Sequence, residues 1–200
     1  MRLVRYIPLA LAATLLAPSL AHAHLVTSGL GPFYDGVVHL ALSPDDWLGL
    51  LAAAMLAGLR GPQAGRWTLA VVPLTWLAGA LAGQIISGIP PLPGLSILSF
   101  VVLGVFVALD AKLPAWAVAA LAGLFGLLHG LLNGAALAQA NAGVVNLLGI
   151  VSTVAIVLLL VSAAVMSLRP AWTRIAVRVA GSWVVAVGML MFGWLFRGNV

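Results

Sequence analysis

Phe125-Gly-Leu-Leu-His-Gly-Leu-Leu-Asn-Gly134 lies deep inside a long apolar segment, yet it carries a histidine and an asparagine. His129 and Asn133 are four residues apart, so a helix sets them on one face, one turn from each other. Gly126, Gly130 and Gly134 repeat at the same spacing on that face or beside it. Such a stripe of missing side chains lets a neighbouring helix come close. A polar group at this depth must find a partner, and a cavity inside a helix bundle supplies one where lipid cannot.

The composition around this stretch is that of a polytopic membrane protein. The chain has 200 residues, of which 64% are hydrophobic and 6% charged, and its mean hydropathy is +1.20. The nine basic residues are scattered over short loops. They are orientation signals rather than a phosphate-binding patch, so the expected partner is the lipid bilayer and not nucleic acid. There is no cysteine, which excludes disulfides, thiolate metal sites and thiol nucleophiles.

Residues 1–23 read as a cleaved signal peptide: Arg2 and Arg5, then the apolar run Ile7 to Leu16, then Ala21-His22-Ala23 as the small-x-small site. Cleavage there makes His24 the new N-terminus, with an α-amine and an imidazole on one residue. Residues 24–45 form a periplasmic or interfacial segment that holds Asp35, His39 and Asp45, with Asp46 just after it. Ser43-Pro44-Asp45-Asp46 has the form of a helix start, so one or two of these acids could serve only the helix dipole.

The rest, within a single domain over 24–200, predicts an all-α fold of six transmembrane helices near 46–59, 67–87, 93–110, 114–138, 144–168 and 174–196, separated by Gly/Pro breaks. The first is short, and residues 36–45 extend it or lie at the interface. Pro73 should kink the second or sit in its first turn. With the new N-terminus outside, the loops after spans one, three and five carry Arg60, Arg66, Lys112, Arg169 and Arg174, and those after spans two and four carry no charge. The positive-inside rule is then obeyed by every internal loop. This predicts a multi-pass protein of the bacterial inner membrane with both termini periplasmic. His129 then falls in the outer half of span four, on the side of Asp35, His39, Asp45 and Asp46, while Asp110 reads as an inner surface pair with Lys112.

Histidine with carboxylate and amide oxygen suits a borderline divalent ion: nickel, cobalt, zinc or copper(II). Protons compete for imidazoles, so binding should weaken as pH falls. A hydrolase built from Ser152 or Thr153 with His129 and Asp45 lacks a Gly-x-Ser-x-Gly elbow. No P-loop or dinucleotide fingerprint is present. The chain therefore reads as non-enzymatic, with no tightly bound cofactor. Asn133, Asn141 and Asn146 could also serve helix–helix hydrogen bonding, and the glycine faces could join copies into a homo-oligomer.

The pattern resembles the HupE/UreJ family of hydrogenase and urease accessory membrane proteins, regarded as nickel or cobalt permeases. That family carries a first motif H-P-x-x-G-x-D-H and a later one H-G-x-x-H-G. Here the first reads His39-Leu-Ala-Leu-Ser-Pro-Asp45-Asp46, with the leading histidine and the aspartate kept, Leu40 and Ser43 in place of the proline and glycine, and Asp46 in place of the second histidine. The later reads His129-Gly130-Leu-Leu-Asn133-Gly134, with Asn133 in place of the second histidine. The resemblance implies a permease in which His39, Asp45 and Asp46 collect a divalent metal ion at the outer face and His129 and Asn133 hold it in the bundle. His24 and Asp35 would form an outer capture point. The alternative is an accessory protein that binds a metal or a partner in metalloenzyme maturation without transporting it.

Overall fold

The computed structural model describes residues 27–86, 88–168 and 170–197. The expected signal peptide, residues 1–23, and His24 lie outside them. Seven helices follow in order: α1 Pro32–Leu42, α2 Pro44–Arg60, α3 Pro62–Ile85, α4 Pro93–Ala108, α5 Ala115–Gln139, α6 Val144–Ser167 and α7 Ala171–Arg197. No strand occurs among the described residues. Proline occupies the first turn of each of the first four helices, where its missing N–H costs nothing and its fixed φ favours the helix.

The break between α1 and α2 is written in Leu42-Ser43-Pro44. Proline pushes the preceding residue out of the helical region, and Ser43 is extended at φ −95°, ψ 97°. The Ser43 hydroxyl turns back and donates to the His39 carbonyl at 2.8 Å, so it closes α1 rather than capping α2. The two helices meet at 80°. Residues 32–42 are thus a separate helix laid against α6, not a straight extension of the first span.

α2 is the hub. Ala52, Ala53, Ala54, Leu56 and Ala57 are fully buried, because the helix touches all the others. α3 and α5 pack side by side and parallel. A methyl on Gly130 or Gly134 would fall on the carbonyl of Trp76 or Ala80, and one on Gly79 or Gly83 on that of Leu127 or Leu131. The glycine stripe of α5 is therefore a helix contact, as its spacing predicts. Gly104 and Gly181 let α4 and α7 approach in antiparallel fashion. Pro73 sits in the middle of α3, where the nearby Thr75 hydroxyl donates to the Val71 carbonyl at 2.9 Å.

The outward faces are apolar, with Leu74, Leu124, Leu160, Trp183 and Leu190 among many exposed large side chains. Water would not tolerate so much apolar surface. Four helices, α3 and α5 to α7, are long and apolar enough to cross a bilayer, and the bent α1–α2 pair makes a fifth if it counts as one span. α4 has 16 residues and is too short to meet that measure. The predicted count of six is thus met in part by length and composition.

The opposite ends differ in charge. At one end Asp110 receives Arg60 of α2 and, at 2.7 and 2.8 Å, Arg174 of α7. This corrects the expected pairing with Lys112. Asp110 has φ 51° and occupies the left-handed position after α4, with Ala111 N–H closing on Phe106 O. That turn swings its carboxylate back toward α2 and α7. At the other end lie Asp45, Asp46 and the second half of α5.

Candidate metal centre

Four helices bring their polar residues together at that second end. Asp46, in the first turn of α2, accepts from His129 Nδ1 of α5 at 2.5 Å on one oxygen and from Asn133 Nδ2 at 2.9 Å on the other. Asn133 Nδ2 also donates to the His129 carbonyl at 2.8 Å. Both partners of that nitrogen are acceptors, so Oδ1 must face the donor. His39 Nε2 of α1, 2.8 Å from Oδ1, therefore carries a hydrogen. His129 Nε2 meets Ser99 Oγ of α4 at 2.9 Å. Ser96, one turn earlier, donates to Asp45 Oδ2 at 2.5 Å.

The result is one continuous chain of hydrogen bonds, His39–Asn133–Asp46–His129–Ser99. It is deeply placed: His129 is 1% exposed, Asp46 4% and Asn133 5%. A carboxylate at that depth is costly alone and tolerable only when paired and hydrogen-bonded. The Phe125 ring lies 4.2 Å from the His129 ring between centroids, and Trp76 lies behind at 6.0 Å, so the imidazole is clamped on its apolar side.

Asp45, Asp46 and His129 each offer one donor atom, and those atoms lie within 4.8 Å of one another. A cavity of about 650 Å³ opens beside them and is lined also by His39 and Asn133. Five of the expected ligands thus border one space. Asp35 does not. Its carboxylate is taken up by Ser28 N–H and Oγ, at 2.5 and 2.6 Å, where it anchors the chain before α1. No side-chain hydrogen bond caps α2, so Asp45 and Asp46 are not capping acceptors, while their place in its first turn suits the helix dipole.

Sequence reasoning missed Ser96 and Ser99. Two hydroxyls three apart in the otherwise apolar run Pro93-Gly-Leu-Ser-Ile-Leu-Ser-Phe100 were the available signal. Asn141 ends α5 in the left-handed region at φ 52°, with its N–H bonded to the Ala138 carbonyl. Thr153 donates to the Gly149 carbonyl, away from His129. The order Ser99–His129–Asp46 is that of a hydrolytic triad, but the Ser99 hydroxyl donates its hydrogen to the Ser96 carbonyl at 2.7 Å, whereas a nucleophile would give it to the histidine.

Residues 11–191 match the family model described as HupE / UreJ protein. No curated protein and no solved structure matches the chain.

Proposed function

The chain belongs to the HupE/UreJ family, a family of membrane accessory or transport proteins for metals, and on that premise we propose that it is a permease for a divalent transition-metal ion, nickel or cobalt. The observation that carries this reading is the convergence of His39, Asp45, Asp46, His129 and Asn133 on one cavity from helices distant in sequence. The ion is gathered by His39, Asp45 and Asp46 and passed to His129 and Asn133. Ligation replaces the hydrogen between His129 and Asp46, so metal uptake releases protons.

The topology that serves this function has six spans, with the site facing the periplasm and the basic end facing the cytoplasm of the inner membrane. α4 completes the count because it runs the same course as α2: Ser96 holds Asp45 at one end, and Asp110 holds Arg60 at the other. Removal of residues 1–23 leaves His24 at the outer face as a first capture point. The accessory reading keeps the same site without flux, and the oxygen donors Asp46 and Asn133 at the two motif positions favour it.

The test is nickel, cobalt, zinc and copper uptake by proteoliposomes, wild type beside His129→Ala. Uptake of one ion that disappears in the variant is expected. Stoichiometric binding without uptake establishes the accessory role instead. Neither binding nor uptake removes both readings.

A further inference from the structure

The cavity is much larger than the ion assigned to it. A divalent ion with six waters occupies roughly 180 Å³, at about 30 Å³ per water, against the cavity's approximately 650 Å³. The lining is also divided. One part is the donor set of Asp45, Asp46, His39 and His129. The other is apolar, with Pro90, Pro91 and Leu92 of the α3–α4 connection joined by Leu132 and Ala136 of α5.

An aqueous ion gains nothing from an apolar wall, since it requires oxygen, nitrogen or water on every side. An organic molecule gains a great deal, and cavities of a few hundred cubic ångströms with a few polar groups are typical of small-molecule sites. Proline fixes its own φ, so the wall is shaped before anything binds and little ordering cost remains. Charge narrows the class further. Among the described residues two aspartates line the cavity and no Lys or Arg does, so an anionic complex is repelled and a neutral or cationic one is accepted.

Resting on the metal reading above, we infer that the ion is taken as a complex with one small amino-acid chelator. The metal faces Asp46 and His129, and the organic part lies on the proline wall. A polycarboxylate complex is disfavoured by charge.

The experiment uses the full chain in nanodiscs, with equilibrium dialysis of nickel or cobalt alone, with one equivalent of labelled L-histidine, and with citrate. One histidine retained per metal is expected. The histidine complex should bind at least about tenfold tighter than the ion alone, and the citrate complex should bind more weakly. Ala140→Phe narrows the apolar part from a lining position two turns beyond Asn133. It should keep binding of the ion alone, which reports an intact fold, and lose the histidine advantage. Metal bound without retained histidine overturns the inference and leaves the metal site standing. No metal bound in any form overturns the metal reading and the inference together.

Discussion

Asn133 is the residue on which the others depend. Its amide donates to Asp46 and to the His129 carbonyl and accepts from His39, so it uses both ends of the group. No other uncharged side chain of that size presents a donor and an acceptor side by side. Under the proposed function it would offer a metal an oxygen where the family motif has histidine, which moves preference toward harder ions. Asn133→His should therefore raise nickel affinity relative to manganese by about tenfold or more in competition titrations. An unchanged ratio would mean that position 133 orients Asp46 and does not ligate. The hydrogen-bond partners of ligands matter nearly as much as the ligands, with losses of about 10- to 100-fold on their removal. Ser99→Ala, which deprives His129 Nε2 of its partner, belongs to that group and should weaken binding by such a factor.

The α3–α5 pair sets where His129 and Asn133 stand. Its glycines work in two directions at once, those of α5 against α3 carbonyls and those of α3 against α5 carbonyls. Without a hydrophobic driving force between helices in lipid, close packing of this kind is what holds a pair together. Any side chain at Gly134 meets backbone, which cannot swing aside. Gly134→Val should lower stability by more than the roughly 1–3 kcal/mol usual for overpacking, seen as a drop in melting temperature in detergent. Gly143→Ala is the control, since it has ordinary φ of −87° and open space around it, and should leave melting unchanged. The 80° break after α1 has a separate use. It lets His39 and Asp46, seven apart in sequence, approach Asn133 from two directions, which one straight helix could not do.

At the scale of the whole molecule the two ends are held by different chemistry. The basic end is tied by Asp110, which joins α2, the α4–α5 connection and α7. The hydrogen bond from Arg174, aided by the charges of Arg60, Arg174 and Arg178, holds its carboxyl below the usual carboxylate range against the opposing effect of partial burial. A carboxylate with a lowered folded pKa contributes stability that is complete above its unfolded value, about 3.9, and lost as pH falls through the folded value. Acid unfolding of the wild type should therefore steepen below about pH 4, and Asp110→Asn should flatten that step while lowering stability at neutral pH. The absence of cysteine makes the topology directly testable. Ala140→Cys should react with an impermeant thiol reagent in sealed right-side-out vesicles, and Lys112→Cys only after the vesicles are permeabilised. Labelling of both in sealed vesicles would remove the crossing by α5, which these two positions flank.

Hydropathy and loop charge alone determined that this chain is a helical membrane protein, and they set the helix limits to within a few residues, because lipid demands long apolar runs and proline and glycine punctuate them. His129 and Asn133 were legible for the same reason: a polar group in an apolar run stands out. Asp45 and Asp46 were legible as candidates, but a first-turn acid looks the same whether it serves only the helix dipole or also a polar network, and only the approach of α4 to Asp45 and of α5 to Asp46 reveals the network. Tertiary structure alone decided that Asp35 is tied to Ser28, that Asp110 pairs with Arg60 and Arg174, and that Ser96 and Ser99 complete the network. Each of these rests on a contact between helices far apart in sequence, set by how closely their glycine faces pack and by the angle at Ser43. Periodicity within one segment carries no information about either.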